Sequence, residues 1–536
     1  MIGECVKRAS SLILKLGVAL FVLGFCLCLY PLAVLFPQSA ASFFVETAAA
    51  DKQGWILFCA TVYFVAFTYA LHRKTKFSNH SRRGLTPDVW LVVTLILAFV
   101  SGFPDHTVIA RPVFGAVLLG AIIGKGARCW AAWSVPPFFA ASSIALIIVL
   151  LTAVFAACSY WDLQPMPKLY YRGNTRWSGP WEGPNTFGLL MGAGVTLALG
   201  LCVWIWKTEH RTWNTAVRRW GGGGLALFAT CLTGRGLFHS YSRGAWVATL
   251  CGLIYSAACW FQISGESTNE RRRERVSDSV CSRGDIRVQT GPAQNRMHSA
   301  DQLLFSWLRY NCFPLAAIVL SLIMLLFWRY RETEDGMMRR LLSVANANDF
   351  SSRRRLQAWE GALQFIAEKP WSGKWSGNVQ DQFYRTPKTD DASAIHTNDY
   401  FMLGATSGVP TLCCFVVYLW VSLRPWSPQA FPSGVQGNEI QEGPLKAEGG
   451  RGRRRIVELK WLKSICRSGT IVLLMGFWLD GGLFSMPTAA TFWILLELGR
   501  VDPANLSRAK AEWPILNERR CHNRIFARSD FHRRLV

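Results

Sequence analysis

The chain has 536 residues, of which 51% are hydrophobic and 17% charged, and its formal net charge is +24. Soluble domains carry about 25% charged residues, and the apolar residues here gather in runs long enough to cross a bilayer as helices, which satisfy their own backbone in hydrocarbon. A soluble globular class is thereby excluded. The basic balance reads as membrane topology, because Lys and Arg collect in cytoplasmic loops and no nucleic-acid recognition motif accompanies them.

Taken in chain order, twelve spans are predicted: 11–36, 54–71, 87–103, 107–124, 136–159, 185–206, 221–238, 243–263, 307–328, 400–423, 464–480 and 483–499. The first is too long for a signal-peptide core and reads as a retained helix. With both termini cytoplasmic, the inside segments 72–84, 207–219, 265–301 and 424–463, and the tail after Val501, are all rich in Lys or Arg. The outside loops 37–53 and 104–106 carry almost none. Loop 160–184 breaks the pattern with Lys168, Arg172 and Arg176. Two inside segments, around 266–301 and 427–455, mix Gly, Ser, Pro, Glu and Arg without apolar periodicity and read as disordered linkers. The 16 cysteines lie mostly in apolar runs and form no CxxC pair, so no zinc site or disulfide framework is expected.

One outside segment differs from a plain connector. Residues 329–399 contain a helix signal of their own: Ser351 and Ser352 as N-caps, then Leu356, Trp359, Leu363 and Ile366 on one helical face, with Pro370 closing the helix. A segment this long with an amphipathic helix forms a lid or part of a site. Its helix opens on Arg353, Arg354 and Arg355, three cations where the macrodipole favours anions. The arrangement fits an anion docked on free backbone N–H groups and guanidinium forks, or a basic patch that meets lipid headgroups. Trp359 shares the face of Arg355.

Four other positions carry candidate chemistry. His396, with Asn398 and Asp399 beside it at the start of the tenth span, is placed to accept a proton from a sugar hydroxyl, or to serve as an interfacial polar residue. Arg243 opens the eighth span, where a charge is paired, functional or snorkelling to lipid phosphate; Arg235 and His239 in the seventh span invite the same question. Arg172 and Arg176 stand in a Gly- and Pro-rich loop in which Asn185 is expected to cap the next helix. Asp480 is the acid at the outer end of the eleventh span and a substrate-binding candidate.

Pro184-Asn185, Ser242-Arg243-Gly244-Ala245-Trp246, Arg355-Leu356-x-x-Trp359 leading to Pro370 and a Gly-bearing turn, and His396 before the last spans occur in the order of the O-antigen ligase and polymerase superfamily, which this chain resembles over residues 170–420. Two departures stand out. Thr397 separates His396 from Asn398, where the family has His-Asn, and Gly373-Lys374-Trp375 replaces Gly-Val-Gly. The resemblance implies an all-α, GT-C-like polytopic fold with five helices in 1–170 and a ligase-like core in 171–423 holding the extracytoplasmic loop 329–399. A cytoplasmic linker (424–463), two helices (464–500) and a basic cytoplasmic tail (501–536) would follow.

It further implies an inner-membrane glycosyltransferase without cofactor or metal, moving a glycan from an undecaprenyl diphosphate carrier to a hydroxyl of a glycan, glycolipid or protein. Arg243 and Arg355 would hold the diphosphate and His396 would be the base. Arg353, Arg354, Arg176, Trp359, Asn398 and Asp480 would line the substrate. A polymerase differs only in its acceptor. A lipid-glycan flippase would need charges near mid-membrane in several spans, and the polar motifs here gather at one face; no internal repeat suggests a transporter either.

Overall fold

A computed structural model describes residues 87–102, 110–133, 137–161, 168–171, 174–181, 183–208, 213–281, 350–373, 398–424 and 446–500. The expected spans at 11–36, 54–71 and 307–328 lie outside these residues. The described helices are α1 (Pro87–Gly102), α2 (Ala110–Trp133), α3 (Pro137–Tyr160), α4 (Pro184–Thr208), α5 (Trp213–His239), α6 (Arg243–Cys281), α7 (Phe350–Glu368), α8 (Asp399–Leu423), α9 (Lys446–Leu479) and α10 (Met486–Leu498). A two-stranded sheet, β1 (Lys168–Tyr171) and β2 (Asn174–Trp177), lies between α3 and α4. Among the described residues, five helical segments are long and apolar enough to cross a membrane: 142–160, 184–206, 243–263, 399–423 and 457–479. The protein is a polytopic helical membrane protein.

Two linker expectations are corrected. Helix α6 continues to Cys281 and α9 begins at Lys446, so helix replaces part of each segment read as disordered. The α6 addition is rich in Arg and Glu, and the α9 addition in Arg despite three glycines; Arg and Glu are strong helix formers. Each also extends an established helix, so no new nucleus has to form. The helix α7 begins at Phe350, which puts Ser351 and Ser352 inside its first turn instead of at its cap.

The chain divides into two units. The smaller comprises 171–174 and 261–352, of which the far half of α6 is the main described part. The larger holds everything else, and its core is built where α4 packs on α5 and α9, α2 on α10, and α1 on α8. Leu91, Ile148, Phe187, Phe415, Phe477 and Trp493 are fully buried there. Close packing of small residues replaces the hydrophobic effect as the force between membrane helices. In α2, Gly120 and Gly124 accept Trp493 of α10: a Cβ on Gly124 would lie 2.6 Å from the Trp493 carbonyl oxygen.

The helices of the larger unit gather polar groups at two opposite ends. At one end lies a buried ionic cluster. Glu497, with no exposed side-chain surface, meets Lys125 at 2.8 Å, Arg128 at 3.2 Å and Arg500 at 2.7 Å. Asp88 pairs with Lys125 and, at 2.7 Å, with Arg500. The Tyr418 hydroxyl donates to Glu497 at 3.1 Å. Nearby, Arg467 donates to the carbonyls of Gly499 (3.1 Å), Ser422 and Arg424 (both 3.2 Å), tying the C-terminal ends of α8 and α10 to α9. The other end lies across the length of α8. From Asp399 to Tyr418 the helical rise is about 28 Å, close to the thickness of a hydrocarbon core.

Removing one member of a buried ionic set leaves its partners uncompensated, at a cost of about 3–5 kcal/mol, whereas removing a balanced pair is close to neutral. Glu497→Ala is therefore expected to lower the melting temperature of the detergent-purified protein sharply. Lys125→Met combined with Glu497→Gln should restore most of it. An unchanged melting curve in Glu497→Ala would show that the cluster does not hold the bundle.

Candidate functional site

At the other end, α9 stops and the chain turns through Asp480-Gly481-Gly482-Leu483 before α10. Gly481 and Gly482 have φ of 73° and 131°, conformations that glycine adopts without a Cβ penalty. This turn brings a carboxylate and a free backbone N–H to the middle of the site. Asp480 Oδ1 pairs with Arg355 Nη2 from α7. Its Oδ2 accepts from Ser242 Oγ at 2.5 Å. Three residues later the Leu483 N–H donates to Asp399 Oδ2 at 2.6 Å, at the start of α8. Four segments far apart in sequence, the starts of α6, α7 and α8 and the turn after α9, thus meet here.

Gly244 follows from the same contact. A Cβ there would lie 2.2 Å from Asp480 Oδ2, so the α6 N-terminus can reach the carboxylate only without a side chain at this position. Arg243 stands between Ser242 and Gly244, both of which face Asp480. Its own backbone therefore lies beside the Arg355–Asp480 pair.

The turn preceding Arg243 is tightly held. Tyr241 has φ of 51°, an uncommon conformation for a bulky residue. Ser240 Oγ donates to the Leu237 carbonyl at 2.6 Å and accepts from the Ser242 N–H at 3.2 Å. Arg176 in β2 donates from Nε to the Ser240 carbonyl at 3.0 Å and from Nη2 to Asn185 Oδ1 at 3.3 Å. Arg176 thus braces the turn that carries Arg243. Asn185, expected as a cap, instead lies one residue inside α4 behind Pro184, a residue suited to a first helical turn.

Asn398 caps α8: its Oδ1 accepts from the N–H groups of Tyr400 (3.0 Å) and Phe401 (3.1 Å). Its Nδ2 is buried without a hydrogen-bond partner among the described residues. Trp359 packs its ring against Phe401 and Trp478, each at 6.0 Å between centroids, which places α7 against the starts of α8 and the end of α9. The turn after α7 seats in the kink of α8. The Val409 N–H donates to the Pro370 carbonyl at 2.8 Å, and Gly408, with φ of 83°, leaves no room for a Cβ beside Trp371. Arg353 and Arg354 precede Arg355 on α7, but their side chains, like all of His396, lie outside the described residues. Among the described residues no three His, Cys, Asp or Glu side chains cluster as metal ligands.

Residues 227–416 match the O-antigen ligase family. This match supports the likeness to the O-antigen ligase superfamily over that segment. No curated protein matches the chain. Arg243, Arg355 and His396 fall inside the O-antigen ligase segment, whereas Arg176 before it and Asp480 after it are supplied by flanking elements. Sequence reasoning ranked Asp480 low because one acid at a helix end carries no pattern. The signal available was an acid followed by two glycines between two apolar spans. Ser242 and Gly244 stood in the quoted motif without a role, and their common contact with Asp480 supplies one.

If Asp480 couples the two elements, its loss and that of Arg355 should not add. Residues in one ion pair show interaction energies of about 0.5–3 kcal/mol in double-mutant cycles. Asp480→Asn, Arg355→Ala and the double variant, unfolded in mixed micelles, should show coupling in that range. Additive effects would contradict the pairing.

Proposed function

We propose that this protein is a glycosyltransferase that moves a glycan from an undecaprenyl diphosphate carrier to an acceptor hydroxyl at the extracytoplasmic face of the inner membrane. The observation that carries this reading is the single carboxylate of Asp480, which gathers Arg355 and the turn carrying Arg243 from distant parts of the family-matched segment. Two arginines on adjoining turns suit a diphosphate, whose oxygens a planar guanidinium fork can bond in pairs. Asp480 offsets one of the two charges in the resting site and orients the Arg355 fork.

In the reaction, the acceptor oxygen attacks the anomeric carbon and the bond from that carbon to the diphosphate oxygen breaks. The electron pair leaves with the lipid diphosphate, where Arg243 and Arg355 stabilise the developing charge. The acceptor proton passes to His396, which lies in sequence two residues before Asn398, the cap of α8. Arg353 and Arg354 add positive potential along the same helix. Loops 37–53 and 104–106, which carry almost no Lys or Arg, support an extracytoplasmic placement of this end, loop 160–184 being the exception, with both termini cytoplasmic and twelve spans in all. An acceptor that is itself a growing lipid-linked glycan would make the enzyme a polymerase, with the same donor chemistry.

Transfer from a lipid-diphosphate glycan by purified protein, with donor binding measured separately, tests the assignment. His396→Ala should leave binding nearly intact and reduce turnover about 10²–10⁴-fold, the range of general acid–base catalysis. Arg355→Ala should weaken binding and turnover together, and Arg355→Lys should fail to rescue, since an ammonium lacks the planar fork. Chelators should be without effect. Full activity in His396→Ala would remove the base from the mechanism.

A further inference from the structure

The buried ionic cluster at the end opposite the site compensates itself except for one positive charge. Among the described residues, the cations Lys125, Arg128 and Arg500 meet only two carboxylates, Asp88 and Glu497. The excess can be traced to one side chain. Lys125 lies between both carboxylates, and Arg500 reaches each at 2.7 Å from a separate nitrogen; both cations are nearly buried. Arg128 engages Nη1 alone, at 3.2 Å from Glu497 and 3.8 Å from Asp88, and its side chain is 32% exposed. Its Nε and Nη2 meet no acceptor among the described residues. The nearby Arg467 is different. Its donors close on three carbonyls at the C-terminal ends of α8 and α10, where the helix dipole is negative.

We infer that Arg128 binds the phosphate of an anionic phospholipid from the membrane leaflet at this end. Depth places the cluster there. About 28 Å of helix separates Asp399 from Tyr418, which bonds Glu497, so the cluster stands where hydrocarbon gives way to headgroups. Trp420, 72% exposed and two residues beyond Tyr418, is of the type that collects at that boundary. The open Nε–Nη2 edge of a guanidinium matches two phosphate oxygens. A headgroup with net negative charge neutralises the cluster, whereas a zwitterionic one brings a cation of its own. Lipid is favoured over phosphate from solution because an arginine at this depth has a layer of lipid phosphates beside it. Beyond Arg467, α9 also carries Arg451, Arg453, Arg454 and Arg455 on this side, and such a basic segment next to a span attracts anionic lipid. The site is independent of what Arg355 binds.

Native mass spectrometry of the full-length protein in detergent tests this, by the Kd of the first bound phosphatidylglycerol or phosphatidylcholine of equal chain length. Wild type is expected to hold phosphatidylglycerol at least about tenfold more tightly, the effect of one charge-assisted contact. Arg128→Gln should make the two affinities nearly equal. Arg235→Gln, which removes an exposed arginine from α5, should keep the preference. Asp88→Asn leaves two excess cations and should strengthen the preference, which keeps the test decisive where Arg128→Gln does not fold. Inorganic phosphate at millimolar concentration should not displace the lipid. Equal affinity of wild type for the two lipids would overturn the inference, as would a preserved preference in Arg128→Gln or an unchanged or weakened one in Asp88→Asn. An equal loss in Arg235→Gln would reduce the effect to general surface charge and overturn it. Displacement of the lipid by inorganic phosphate would mark a site for a soluble anion and overturn the lipid assignment.

Discussion

The carboxylate of Asp480 is the constraint on which the arrangement of the site depends. It is buried, it accepts from Ser242, and it pairs with Arg355, so it fixes the start of α6 and the start of α7 with one group. Leaving a buried carboxylate without partners is costly, which means that each partner is held in place by the need to satisfy it. The glycine at position 244 permits the approach, and the two glycines after Asp480 permit the turn. The same turn offers the Leu483 N–H to Asp399, which extends the constraint to the start of α8.

Rigidity at the opposite end supports this one. Lys125, Arg500, Glu497, Asp88 and Arg128 form a mutually compensating set among α1, α2 and the end of α10, and Arg467 gathers the helix-end carbonyls of α8 and α10. The helices that carry Asp399, Asp480 and Leu483 are therefore anchored at their far ends by charge and along their length by packing such as Trp493 on Gly124. Hydrogen-bonded geometry at a functional site needs supporting elements that do not shift. A bundle clamped in this way provides them.

Much of this was legible in the sequence. Apolar runs located α1, α3, α4, α8 and α10 to within a few residues, because a helix in hydrocarbon must be apolar along most of its length, whereas α2, α5, α6 and α9 run well past their apolar stretches. Arg243 stood out as a charge beside a membrane span, and Arg355 as one of three cations in a first helical turn. What the sequence left ambiguous depended on contacts between distant segments. Arg176 reads as a substrate contact until its partners, the Ser240 carbonyl and Asn185, are known. Leu356 and Leu363 read as part of one apolar face, and periodicity does not say what covers such a face. The extra turns of α6 and α9 were hidden by charge, since their Arg-rich sequences lack apolar periodicity.

If Arg243 and Arg355 hold one diphosphate beside Asp480, cryo-electron microscopy of the full-length protein in a lipid nanodisc with undecaprenyl diphosphate should show it. Phosphate density is expected within hydrogen-bond distance of both guanidiniums, with Ser242 still bonded to Asp480. Diphosphate density bound instead around Arg128 at the opposite end, or Arg243 and Arg355 turned away from a common ligand, would contradict it.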